Sequence, residues 1–389
     1  MALTELVSVF WSGFACRVQL DGVRGLAIAV VVLGHLYPGL LPGFRQGVTV
    51  FFVLSGFLIT SLLCTEFTRA STVDLGAFYI RRALRLVPAL VLVTATAGGL
   101  AVWTLGAGTK GLVTEATAAL TYTYDYVAAL RPEGSTYLWM GQTWSLAIEE
   151  QFYLLWPFAL VGLLRWSVDL RMKLMILAGL ILAITAWRTA LMASRPNSSW
   201  PFITFDCRLD SLLVGCLLAL LFSWGEIRAE VTPKLVSTLG WLSIGALAFC
   251  ASVDVVFGPV GTSLVFLLAS AASAGLIAVC VWGPGNQICT IFERRPLRWL
   301  GRISYGLYLW HYAFLATLGA VWPWAVSGSG MGPQVYRASM LALSLTTAAL
   351  SYHLVERPFL RRKASWGSSS RPNDVPVGPE LRPEAVKAG

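Results

Sequence analysis

Apolar residues along this chain gather into long blocks, broken by short connections that carry most of the charge. Many blocks approach or exceed 18 residues, the length that crosses a bilayer as a helix. Ten spans can be laid out, at residues 21–38, 47–65, 83–105, 145–164, 172–192, 208–224, 235–251, 259–282, 303–325 and 336–356. A further stretch, 112–130, is interrupted and carries Asp125, so it reads as interfacial or re-entrant. The pattern predicts an all-α polytopic membrane protein, with about ten transmembrane helices in one bundle. Around that domain, taken as 21–360, stand an N-terminal interfacial segment (1–20) and a tail (361–389). The tail is rich in Pro, Ser, Gly and charge, a composition that favours disorder.

Composition supports the same class. Of 389 residues, 56% are apolar and 13% charged, against roughly 25% charged in a soluble domain. The net charge of +9 could suggest nucleic acid, but its placement argues otherwise. With the N-terminus inside and ten spans, 22 of the 29 Lys and Arg fall on the cytoplasmic side and 7 on the outer side. That skew is the positive-inside rule, so a multi-pass protein of the plasma membrane with both termini cytoplasmic is expected, its basic loops near anionic headgroups. Seven cysteines show no Cys-x-x-Cys pair and no metal-ligand spacing with the three histidines. The outer loop 106–143 carries Tyr122, Tyr124, Tyr126, Tyr137 and Trp139, which suit an interfacial aromatic belt or the mouth for a bulky acceptor.

Against this background the ionisable residues inside spans stand out, because each is expensive to bury and marks a functional site by default. LDGVRGLAIAVVVLGH places Arg24 near the cytoplasmic face and His35 roughly 16 Å further along the helix. In span four, QTWSLAIEEQFYLLWP puts Glu149 and Glu150 roughly 8 Å below the outer surface. His35 comes about 21 Å from the inner face of a ~30 Å core, a similar depth. A histidine and a carboxylate at one level suit general-base chemistry, since the carboxylate would fix the tautomer and stabilise the imidazolium. A buried histidine bonded to a carbonyl is the plainer alternative.

Other polar groups are less decisive. FYIRRALRLVP, taken as a basic loop before span three, sets Arg82 and Arg85 on one face. They could grip phosphates bidentately or serve as topological anchors. TFDCRLDSLLVG opens span six with Asp206, Arg208 and Asp210; mutual neutralisation of charge entering the bilayer is the favoured reading, substrate contact the other. GRISYGLYLWHYAF gives a stripe of Ser304, Tyr305, Tyr308 and His311, for inter-helix hydrogen bonds or an acceptor path. Ser55 and Gly56 are small residues that let helices approach closely. His353, near Glu356 and Arg357, reads as a cap.

Together, LDGVRGLAIAVVVLGH, FFVLSGFLI, RRALRLVPAL, WSLAIEEQFYLLWP, RLDSLLVG and GRISYGLYLWH resemble the membrane-bound acyltransferase-3 family of bacterial sugar O-acetylases. The resemblance implies a ten-helix bundle that moves an acyl group from cytosolic acyl-CoA, acetyl or short-chain, to a hydroxyl, with no permanently bound cofactor. The family's Arg-x10-His motif falls on Arg24 and His35, and its Arg-x-x-Arg motif on Arg82 and Arg85. Its carboxylate falls on Glu149 or Glu150. Many members append a soluble esterase-like domain. This chain ends soon after span ten and so looks more like stand-alone members, including macrolide antibiotic acyltransferases. A sugar or macrolide acceptor is therefore expected, with His35 as base, Glu149 and Arg24 assisting, and Arg82, Arg85, Glu150, Asp206, Arg208, Asp210, Tyr305 and His311 as substrate contacts. An exporter of an amphiphilic or glycosylated product is the rival, although no internal repeat supports a transporter.

Overall fold

The computed structural model describes residues 14–105, 109–131, 139–223, 232–253, 257–283, 285–323 and 331–365. Long helices form wherever the sequence offers an uninterrupted apolar block, because in lipid every backbone N–H and C=O must be satisfied within the segment. They are α1 (Phe14–Leu36), α2 (Gln46–Ala70), α3 (Leu75–Leu105), α6 (Thr143–Arg165), α7 (Leu170–Ser194), α9 (Phe205–Ser223), α10 (Pro233–Ser252), α11 (Gly258–Trp282), α13 (Arg295–Val321) and α14 (Met331–Ser351). Short helices α4 (Thr109–Leu120), α5 (Tyr124–Ala129), α8 (Trp200–Ile203) and α12 (Gln287–Phe292) connect them. A π-turn over Tyr352–Glu356 joins α14 to α15 (Arg357–Ser365).

All ten expected spans coincide with a long helix. Eight of the ten are apolar enough to cross a membrane by composition alone; α9 and α13 are not. The two exceptions pack against other long helices, α9 against α2 and α7, α13 against α1 and α14. In α9 the charges of Arg208 and Asp210 are buried against protein, whereas Arg295 and Arg302 of α13 are exposed. Close approach is what makes that burial possible. Gly56 of α2 and Gly215 of α9 face each other's backbone, and a Cβ on either would overlap a carbonyl of the other helix, at Leu212 or Val53. Such small-residue contacts replace the hydrophobic drive that lipid does not supply.

Several boundaries differ from expectation. Residues 14–20 are the first turns of α1, not a separate interfacial segment; residues 1–13 lie outside the described residues. The basic stretch holding Arg82 and Arg85 is helical, because α3 begins at Leu75 and runs 31 residues. The tail beyond Ser365 lies outside the described residues, as does Tyr137. Stretch 112–130 breaks at Tyr122, whose left-handed backbone (φ 55°) ends α4 and starts α5. Its polar groups are turned onto the bundle: buried Asp125 accepts from Gln151 Nε2 (3.0 Å) and the Phe205 N–H (3.3 Å).

Candidate active site

A cavity of ≈ 470 Å³ is bounded by α1, α2, α3, α6 and α13. One end is basic, with Arg24 of α1 and Arg82 and Arg85 of α3; Asp21 is the carboxylate that shares it. Phe51, Phe52, Leu58 and Leu62 of α2 give it apolar lining, and Ser145, Glu149 and Tyr308 line it as well. A largely apolar lining with a few convergent polar groups is the pattern of a ligand site.

The three arginines are not equivalent. Arg82 Nε donates to Glu150 Oε1 at 3.0 Å, and its guanidinium lies 3.0 Å from the centroid of the Tyr153 ring. Arg24 and Arg85 form no ion pair among the described residues. Two half-buried, unpaired guanidiniums lining one cavity make a strong anion site, since each keeps its full set of planar donors. The expected Arg82–Arg85 couple is thus redistributed: Arg82 is committed to Glu150, and Arg24 joins Arg85. Glu150 is correspondingly a partner of Arg82.

Glu149 and His35, expected to pair, have different neighbours. Glu149 lines the cavity and accepts from Ser55 Oγ at 3.0 Å. His35 does not line the cavity; its Nδ1 bonds the Val31 carbonyl at 2.9 Å. Its ring packs instead against Phe44 (4.5 Å between centroids), His311 (5.0 Å) and Tyr312 (5.7 Å). Similar depth along two helices does not fix which way either side chain faces. Tyr308 connects the two regions. Its hydroxyl donates to the Gln142 carbonyl (2.9 Å), lies 2.5 Å from Ser145 Oγ, and its ring is 5.6 Å from that of His311. Tyr305 also lines the cavity and donates to the Leu86 carbonyl at 2.8 Å.

The polar cluster of α9 lies elsewhere and is largely structural. Asp210 forms a fully buried ion pair with Arg188 of α7 at 2.7 Å. Asp206 accepts from the indoles of Trp187 (2.8 Å) and Trp200 (3.1 Å). Arg208 donates to Thr49 Oγ1 at 2.8 Å and lies 4.1 Å from the Phe266 ring centroid. None of the three lines the cavity, so their expected substrate contact is not supported there. Neutralisation within the bilayer holds for Asp210, but its partner is Arg188, not the adjacent Arg208.

Sequence reasoning passed over Arg188, Asp21, Ser145 and Tyr153. An arginine inside span five was itself a signal. Tyr153 is one turn beyond Glu149, and Asp21 three residues before Arg24, so helical spacing places each on the same face as a residue already chosen.

Comparison with known proteins identifies the family. The pattern described as "Acyltransferase domain" matches residues 17–353. A peptidoglycan O-acetyltransferase of Listeria monocytogenes is 31% identical over 365 residues, 87% of this chain and 55% of its own length. A Bacillus subtilis protein provisionally named peptidoglycan O-acetyltransferase is 31% identical over 388 residues, 92% of this chain and 59% of its own. A provisionally named O-acetyltransferase of Staphylococcus aureus strain COL is 30% identical, over 92% of this chain and 59% of its own. The chain thus spans little more than half the length of these relatives. No solved structure matches it. With the family pattern covering most of its length and every helix that bounds the cavity, the chain belongs to the acyltransferase-domain family of membrane proteins.

Proposed function

We propose that this protein is an integral membrane O-acyltransferase that moves an acyl group from acyl-CoA to a hydroxyl of a glycan. The observation that carries the reading is the cavity itself, running from two unpaired arginines to within one tyrosine ring of two histidines. The basic end faces the cytoplasm of a plasma-membrane protein, in keeping with the positive-inside rule. There Arg24 and Arg85 hold the phosphates of the donor, and the apolar walls take its pantetheine arm. Acetyl or another short acyl group then comes to rest near Ser145 and Tyr308. Tyr308 stands between thioester and imidazoles, and turning its ring aside joins the two.

His35 serves as general base. A carbonyl can only accept, so the bond to Val31 requires the proton on Nδ1 and leaves Nε2 as the basic nitrogen. Nε2 takes the acceptor's proton, the oxygen attacks the thioester carbon, the C–S bond breaks and the proton passes to the leaving thiolate. Glu149 acts at the cavity end, held by Ser55. Between the two expected acceptors, the names of the relatives favour a glycan of the peptidoglycan type over a macrolide.

The test is transfer from labelled acetyl-CoA by the purified chain in nanodiscs, offered peptidoglycan fragments, other glycans and macrolides, with products weighed by mass spectrometry. An ester is expected on a sugar hydroxyl; formation of no ester with any acceptor would favour an exporter. A general base contributes about 10²–10⁴-fold, so His35→Ala should lose that much. Wild-type turnover by folded His35→Ala would remove His35 from the chemistry.

A further inference from the structure

Two of the chain's three histidines meet although 276 positions separate them (35 and 311). Helices α1 and α13 run side by side in one direction: Gly301 lies against the Asp21 carbonyl at one end, and His311 against His35 further along. Each imidazole is anchored identically, through Nδ1 to the carbonyl four residues before it, Val31 at 2.9 Å and Leu307 at 3.1 Å. Both therefore carry the proton on Nδ1 and offer a bare Nε2. His311 is wholly buried, and its Nε2 has no hydrogen-bond partner among the described residues. Neither ring has an ion-pairing carboxylate among the described residues.

We propose that His35 and His311 act as one proton-holding pair, in which His311 Nε2 is the acceptor for the His35 imidazolium. The inference rests on the reading of His35 as base and assigns His311 the part that a carboxylate takes in other histidine bases. The sequence of events balances without another reactant. The acceptor O–H proton moves to His35 Nε2 while the oxygen bonds the thioester carbon. Once that oxygen belongs to the ester it no longer holds the new N–H, which turns to the lone pair of His311 Nε2. As the C–S bond breaks, the proton leaves the pair for the thiolate, and both imidazoles return to the neutral state. One proton is the limit, because two adjacent imidazolium ions repel. His311 is a positioning residue: it acts through His35 and not on the substrate.

An acceptor of this kind also accounts for the polar atom. A buried lone pair left without a donor is unfavourable in the resting protein, and it becomes useful only when a proton arrives. Facing the pair from neighbouring elements are Arg45 at the start of α2, which is always charged, and Tyr308 and Tyr312 on α13.

The test is the pH–rate profile of the full chain in nanodiscs for wild type, His311→Leu, His311→Gln and His35→Gln. A hydrogen bond to a charged group is lost in His311→Leu, so kcat should fall on the order of tenfold to a hundredfold. The acid limb should move to lower pH, because the protonated base has lost its acceptor, while KM for acetyl-CoA stays put. Gln keeps an accepting oxygen and should recover tenfold or more of the loss and return the limb toward wild type. Equal impairment of Leu and Gln with an unmoved limb, or a wild-type profile for Leu, overturns the pair. His311→Met replaces His311→Leu if the latter does not fold. Turnover by His35→Gln at the wild-type rate would instead fail the base assignment, a separate outcome.

Discussion

The division of labour among the three cavity arginines leads to a sharp prediction. Arg85→Gln and Arg24→Gln each remove a guanidinium that forms no ion pair among the described residues. Asp21 and buried Glu356 lose only a longer-range attraction and no direct ion pair, so stability should fall less than for Arg82→Gln. What is lost is a charge-assisted contact to donor phosphate, about 1.5–3 kcal/mol, or a rise in donor KM on the order of 10- to 150-fold. Arg82→Gln does the opposite. It removes the 3.0 Å partner of Glu150, whose side chain is only 15% exposed, and the cation over Tyr153. A charge buried to that degree and left unpaired costs about 1–3 kcal/mol of stability. Donor KM from labelled acetyl-CoA transfer in nanodiscs, read beside the thermal unfolding midpoint from tryptophan fluorescence, separates the cases. If Arg82→Gln raised donor KM as much as Arg85→Gln at an unchanged midpoint, the assignment of Arg82 to Glu150 would be wrong.

Two further outcomes follow from packing. Asp210→Asn should destabilise the protein by about 3–5 kcal/mol, because Arg188 is fully buried and its carboxylate lies at 2.7 Å; an Arg188→Met, Asp210→Leu double variant should recover most of that, measured by unfolding in detergent, and no recovery would argue against a purely structural pair. Gly215→Ala should cost about 1–3 kcal/mol, since its Cβ would overlap the Val53 carbonyl, whereas Gly98→Ala, which meets nothing within 4 Å, should be neutral or stabilising by about 0.5–1 kcal/mol.

Much of the architecture is legible in the chain because membrane insertion depends on local hydropathy. An apolar block of sufficient length forms a helix whatever its neighbours are, which is why a long helix stands at each of the ten expected spans, although three of them begin well before the apolar block. The errors fall where polarity and helicity part company. Arg82, Arg85, Arg298 and Arg302 are helical although charged, because a helix can continue past the apolar core. The break at Tyr122 depends on one left-handed residue, invisible to hydropathy.

The functional residues divide on the same principle. Their types, and their depth along each helix, follow from the residue count at 1.5 Å per residue. That count supplied Arg24, His35, Glu149 and His311 before any contact was known. Which way each side chain faces is another matter: it depends on how the helices rotate and which neighbours they choose. Those choices are made by contacts between distant segments, such as Gly56 with Leu212, Gly215 with Val53 and Gly301 with Asp21. They gave Glu149 to Ser55 rather than His35, Arg82 to Glu150, Asp210 to Arg188 and His35 to His311. Depth is a property of one helix and can be read along it, whereas facing is a property of the packed bundle.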